Sequence, residues 1–154
     1  MIALLQRVSQ ARVEVEGETV GTIGSGILVL TCAEPGDREA TAERLLERLL
    51  AFRMFSDGAG KMNLSVRDAG GGLLLVPQFT LAADTDKGTR PSFSRALPAD
   101  AARSLFDHLV ERARSRHTPV ASGRFGVHMQ INLTNDGPVT FWLRVQPPAA
   151  SRNS

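Results

Sequence analysis

An unbroken apolar run, Leu73-Leu74-Leu75-Val76, turns polar at Pro77, Gln78 and Thr80. A strand that is apolar at both odd and even positions must be covered on both faces, which puts this one in the interior of a layered sheet. Pro77 has no N–H to give a ladder, so pairing ends or bulges there. Residues 82–94 follow with little periodicity, and long irregular segments in small domains usually carry function. The stretch is either a core strand opening into a pocket or a core strand followed by an ordinary surface loop.

The rest of the chain supplies the layers that this strand needs. Residues 2–15 read as a long strand with a change of phase around Ser9-Gln10-Ala11, which suggests a bulge or bend. Turns at Glu16-Gly17-Glu18 and Gly24-Ser25-Gly26 predict a meander of three strands. A helix opens after Gly36 with Asp37 as its cap and buries Leu45, Leu46, Leu49 and Leu50. Residues 53–64 form a small hairpin around Asp57-Gly58-Ala59-Gly60, and three glycines, Gly70 to Gly72, break the chain before the central run. A second helix spans residues 98–114, with Ala102, Leu105, Phe106, Leu109, Val110 and Ala113 on one face. Residues 123–133 return as strand, Asn135-Asp136-Gly137-Pro138 is a turn, and residues 139–145 are the last strand. Residues 147–154 have nothing to bury, so order is expected to stop at 146. One domain over residues 1–146 suits a chain of 154 residues with 42% apolar side chains.

Several chemistries are set aside by the residues themselves. Cys32 is the single cysteine, which excludes an intramolecular disulfide or a thiolate cluster. Gly58-Ala59-Gly60-Lys61 lacks the leading glycine and the trailing hydroxyl of a phosphate loop. Asp84-Thr85-Asp86-Lys87-Gly88 has its glycine one position early for a calcium loop, and Arg95 where the glutamate belongs. His108, His117 and His128 do not have the spacing of a zinc pair. The amino terminus lacks the pattern of a signal peptide and no stretch reaches membrane length, so the expected location is cytoplasmic. Sixteen of the eighteen basic residues are arginine, the others being Lys61 and Lys87. That bias suits phosphate or carboxylate partners, and Arg112, Arg114 and Arg116 are either phosphate contacts or a solvated helix face.

Cys32, Ser92, Ser94 and Thr80 are the candidate nucleophiles, none in a recognisable elbow. The alternatives are a triad assembled from distant segments and a site that works by position, with backbone N–H groups around Gln78 to Thr80 receiving an oxyanion. The turn at residues 135–138 is likewise either a simple connection or a rigid Gly-Pro step that reads a small ligand with two backbone carbonyls. X-Pro bonds are cis in about 5–6% of cases.

Taken together, residues 1–8, Phe55-Ser56-Asp57 with Gly60-Lys61-Met62-Asn63-Leu64, Gln78-Phe79-Thr80-Leu81-Ala82-Ala83-Asp84-Thr85, Arg90-Pro91-Ser92-Phe93 and Asn135-Asp136-Gly137-Pro138-Val139-Thr140-Phe141-Trp142-Leu143 closely resemble the D-aminoacyl-tRNA deacylase family. The resemblance covers residues 1–146. It implies an α/β fold, a small barrel-like mixed β-sheet structure packed with the two main helices, assembled as a homodimer. It implies hydrolysis of the ester that links a D-amino acid, or glycine, to the 3′ end of tRNA. It also implies that Gly137 and Pro138 form a cis step entering the neighbouring subunit's pocket, where their carbonyls exclude an L side chain. Backbone groups of Phe79 and Thr80 would hold the substrate carbonyl beside Gln78, and the terminal ribose 2′-hydroxyl would assist in place of a protein nucleophile. Arg7 and Met129 match positions near the terminal adenosine. No metal, cofactor, membrane or DNA partner is implied.

Pro77 departs from the family, which has serine before the glutamine. It supplies neither a hydroxyl nor an N–H. A related animal branch also carries proline there and edits L-alanine mischarged on a threonine tRNA, so an L-alanyl editor is one alternative. A non-catalytic tRNA-binding module and a small-molecule esterase are two others.

Overall fold

A computed structural model describes residues 1–149 of the chain. Its spine is β1 (Ile2–Val15), which pairs antiparallel with β8 (Gln130–Arg144) from Ile2 to Glu14. The other side of β1 is divided between β3 (Gly26–Cys32), opposite residues 2–8, and β2 (Glu18–Ile23), opposite residues 11–15. The expected meander is therefore corrected. The chain reverses once, at Glu16 (φ 51°) and Gly17 (φ 82°), where two consecutive left-handed residues make the tight hairpin that strand twist favours. Gly24-Ser25 only interrupts the returning strand and does not reverse it.

β6 (Gly72–Pro77) lies parallel to β3, and β7 (Val120–Ser122) lies parallel to β6. The order is β2-β1-β3-β6-β7, with β8 on β1. The carbonyl oxygen of Ser122 stands 2.7 Å from where a Cβ on Gly21 would be, so β2 and β7 meet and the sheet is a nearly closed barrel. The apolar run is the interior strand its pattern predicts. Leu73 and Leu75 face the helices, while Leu74 and Val76 point into the barrel with Val8, Ala11, Val13, Ile23 and Leu28.

Along β1, Ala3 and Leu5 face the helices, whereas Val8, Ala11 and Val13 face the barrel interior. The even-to-odd switch falls at Ser9, where β1 carries one extra residue against β8. That is the bulge expected from the phase change.

Two helices cover the outer face: α1 (Glu39–Ala51), through Leu45, Leu46, Leu49 and Leu50, and α3 (Ala99–Arg116), through Leu105, Phe106, Leu109, Val110 and Ala113. Between them α2 (Val66–Ala69), a single turn capped by Ser65, was not foreseen, while the expected hairpin is β4 (Phe55–Ser56) with β5 (Met62–Leu64). Asp37 is not the cap of α1. Its carboxylate is taken by the Met1 ammonium at 2.8 Å and the Glu34 N–H at 2.7 Å, and Arg38 stands at the cap position. Pro98 similarly precedes α3 as its cap and the helix runs on to Arg116.

Two expectations for the last third are corrected. Residues 123–129 form a loop, and strand begins only at Gln130. Residues 135–138 do not separate two strands, because both arms of β8 pair with the same neighbour: Asn135 lies opposite Val8, Thr140 opposite Gln6, and residues 136–139 are an excursion opposite Arg7 alone. At the far end, the Arg38 guanidinium donates to the Pro148 carbonyl at 3.2 Å. The remainder of the expected tail, residues 150–154, lies outside the described residues. No helix among the described residues is long and apolar enough to cross a membrane.

Candidate active site

Where β6 ends, the backbone is redirected. Pro77 is the last paired residue, opposite Thr31, and the Gln78 N–H donates to the Thr31 carbonyl at 2.7 Å. Residues Phe79–Ala82 then coil into a 3₁₀ turn closed by Leu81 N–H to Gln78 and Ala83 N–H to Thr80. The first N–H groups of such a turn have no partner within it, so those of Phe79 and Thr80 are available to a ligand. The Gln78 side-chain amide donates to the Thr80 hydroxyl, which fixes both side chains beside those donors. The Phe79 ring is more than half exposed and rests against Phe93, centroid to centroid 5.1 Å.

A cavity of about 630 Å³ opens next to this turn, lined by Pro77, Gln78 and Phe79, by Met129, by Leu97 just before α3 and by Ala102 in its first turn. Its remaining wall is the loop at residues 123–129, through Phe125, Val127 and His128. Gly123 hooks this loop to β6 by its N–H to the Leu75 carbonyl, 2.8 Å. Met129 folds back over Gly123, with its sulfur 2.8 Å from the place of a Cβ. The walls are mostly apolar, with Gln78 and His128 as the principal polar side chains. The size and character are those of a small-molecule site.

The nucleophile candidates do not acquire a base here. The Cys32 thiol, buried beside the Ala33 and Phe79 carbonyls, has its pKa pushed up to about 11, chiefly by loss of solvent. A thiol so shifted is inert at neutral pH. The Ser92 hydroxyl meets only Ser94, and Thr80 meets the amide of Gln78. The histidines are dispersed, with His108 against Glu43, His117 on the Gly71 carbonyl at 2.7 Å and His128 at the cavity.

Arg7, Gly137 and Pro138 form a second group, apart from the lining of that cavity. The Arg7 guanidinium crosses under the β8 excursion and donates to the Asp136 carbonyl and to the Met54 carbonyl, each at 2.9 Å. Its third contact is the Asp136 carboxylate at 3.3 Å. Asn135 closes the excursion like a clasp: its amide donates to the carbonyls of Arg7 and Val139, both 2.9 Å, while its oxygen accepts the Val139 N–H. At the tip the Gly137–Pro138 bond is cis and both residues are exposed. A Cβ on residue 137 would overlap the Val139 nitrogen, so only glycine fits. The sequence marks the tip together with Asn135, four residues from its partner Val139, whereas Arg7 reaches Asp136 from 129 positions away.

The family profile described as D-Tyr-tRNA(Tyr) deacylase matches residues 4–144 of the chain. Both groups just described lie inside that span. The chain belongs to the D-aminoacyl-tRNA deacylase family. The D-aminoacyl-tRNA deacylase of Thioalkalivibrio sulfidiphilus is 66% identical over 148 residues, covering 96% of this chain and 99% of that protein. That of Janthinobacterium sp. (strain Marseille) is 63% identical over 147 residues, with the same coverages. Among solved structures, the c-Myc DNA Unwinding Element Binding Protein superposes with a TM-score of 0.90 at 37% identity, over 95% of this chain and 99% of that one. A probable eukaryotic D-amino acid tRNA deacylase superposes with a TM-score of 0.79 at 17% identity, over 92% and 97%, and attests the fold. As a member of this family the chain is an enzyme, a hydrolase that removes the aminoacyl group from D-aminoacyl-tRNA.

Proposed function

We propose that the chain is a chiral proofreader that divides its work between two subunits. In one subunit the substrate carbonyl sits on the N–H groups of Phe79 and Thr80, with Gln78 and Thr80 side chains beside it and the terminal nucleoside against Pro77 and Met129. A water oxygen adds to the carbonyl carbon, the bond to the ribose 3′ oxygen breaks, and that oxygen takes a proton, leaving free D-amino acid and tRNA. The ribose 2′-hydroxyl assists the water, so no protein nucleophile is required. Each backbone donor of this kind typically accounts for about 10²–10³ in rate. The partner subunit of a homodimer presents Gly137 and Pro138, held by Arg7, and their carbonyls occupy the side on which an L side chain would project. Glycine passes the same filter, which extends the substrates to glycyl-tRNA mischarged on alanine tRNA.

The observation that carries this reading is the separation of the two groups. The Gly-Pro tip is exposed and is not part of the lining of its own subunit's cavity. A second copy supplies the missing wall, and a homodimer with two equivalent sites follows from twofold symmetry. The absence of a base beside Cys32, Ser92 or Thr80 among the described residues favours catalysis by position.

Hydrolysis of D-tyrosyl-tRNA, L-tyrosyl-tRNA and L-alanyl-tRNA, side by side and with a chelator present, tests the reading for the wild type and for Pro77→Ser. The expected result is loss of the D-ester alone by both proteins, since neither a hydroxyl nor an N–H at position 77 has a role. Cleavage of L-alanyl-tRNA by the wild type would overturn strict chirality. Activity only after serine is restored would overturn the role assigned to the backbone donors.

A further inference from the structure

Of the arginines that the sequence singled out on the second helix, Arg112 and Arg116 turn towards α1, where Glu43 receives both, Arg112 at 2.7 Å and Arg116 at 3.7 Å. Arg114 turns the other way, its guanidinium 3.5 Å from the Ser122 hydroxyl. It faces a groove of about 540 Å³ between α3 and residues 122–127, lined also by Arg103 and Arg124. All three arginines are exposed, and none of them forms an ion pair among the described residues. The groove joins the cavity directly, because Phe125 and Val127 line both. Arg103 lies 5.0 Å above the Phe125 ring, which holds its guanidinium at that junction.

From this continuity we infer that the groove carries the backbone of the RNA strand whose 3′ end lies in the cavity, with Arg103, Arg114 and Arg124 on its phosphates. The inference rests on the reading of the cavity as the ester site. The dimensions agree: eleven helical positions separate Arg103 from Arg114, about 16 Å at 1.5 Å per residue. A stacked strand rising about 3.4 Å per nucleotide covers that length in roughly five steps. Guanidinium groups are the side chains best shaped for phosphate oxygens. Asp107 and Glu111 stand between the two helix arginines and oppose a polyanion. They make the proposal testable in both directions.

The experiment compares D-tyrosyl-tRNA with D-tyrosyl-adenosine, which carries the ester but no strand, for the wild type, Arg114→Gln/Arg124→Gln and Asp107→Asn/Glu111→Gln. For the arginine variant the KM for tRNA is expected to rise about tenfold at low salt with kcat little changed. Its log KM against log salt should flatten by about 1.4, at roughly 0.7 per single-strand phosphate contact. The short ester should show no such change, having no phosphates to lose. The carboxylate variant should bind tRNA more tightly at low salt. An arginine variant with wild-type KM and slope on tRNA, or with equal losses on both substrates, overturns the groove. A wild type that cleaves neither substrate overturns the reading of the cavity, and this inference with it.

Discussion

Replacing Arg7 by methionine keeps most of the apolar stem of the side chain and removes its three polar contacts. The Asp136 carboxylate is 59% exposed, so its ion pair contributes under about 1 kcal/mol, and the exposed Asp136 carbonyl regains water. The Met54 carbonyl is partly buried beneath the guanidinium and is left without its donor. An orphaned acceptor costs about 1–3 kcal/mol, so the sum should lie between about 1 and 4 kcal/mol. With a urea slope of about 1–3 kcal/mol per M, the unfolding midpoint should fall by roughly 1 M. Arg7→Lys should recover less than half of this, since an ammonium cannot reach both carbonyls in the geometry of a planar fork. The functional consequence falls on the tip: loosening residues 136–139 should erode discrimination between D- and L-tyrosyl-tRNA more than it slows cleavage of the D-ester. Urea titration by circular dichroism and the two deacylation rates read both effects. A variant with the wild-type midpoint and the wild-type D/L ratio would refute the reasoning, because Arg7 would then be neither brace nor support of the tip.

Other outcomes follow from the same contacts. Gly137→Ala cannot fit against the Val139 nitrogen without dislodging the Asn135 clasp, and on the proposed two-subunit reading the purified variant should lose chiral selectivity. Co-refolding Gly137→Ala with Gln78→Ala should nevertheless restore about one proper site in four, the share expected from random pairing when a site draws on both subunits. No recovery would place the whole site in one chain. Gly26→Ala would drive a methyl into the Gly72 carbonyl between β3 and β6, and the protein should be recovered largely unfolded. Cys32→Ala should keep full activity. Alkylation of wild-type Cys32 should be slow at pH 7 and rise about tenfold per pH unit until about 11, because burial favours the protonated thiol.

Much of the architecture was legible because it rests on short-range rules. The apolar run at Leu73-Leu74-Leu75-Val76 requires two covered faces, and the phase change near Ser9 requires an extra residue. Alternation says nothing, however, about which strands are neighbours, so a hairpin return interrupted at Gly24-Ser25 has the same pattern as another reversal. Asp37 has the right chemistry for a helix cap, but the Met1 ammonium is a stronger partner, and its proximity depends on the ends of β1 and β8 lying together. The site was half visible. Gln78, Phe79 and Thr80 announce themselves by following a core strand, whereas Phe125, Val127 and His128 lie in a loop whose apolar residues mimic a strand. Arg7 was visible only through family resemblance, since nothing local tells a strand arginine that four residues will bulge out opposite it.

That excursion has an evolutionary consequence. Both arms of β8 are zipped to the same strand on either side of residues 136–139, so the register of the barrel is set without reference to what the tip contains. Substitutions there are a local edit. The exposed residues of the tip, Asp136 and Pro138, can vary without disturbing the pairing of the barrel, whereas Gly137 and the brace Arg7 are tied to the fold by the space and the partly buried carbonyl they serve.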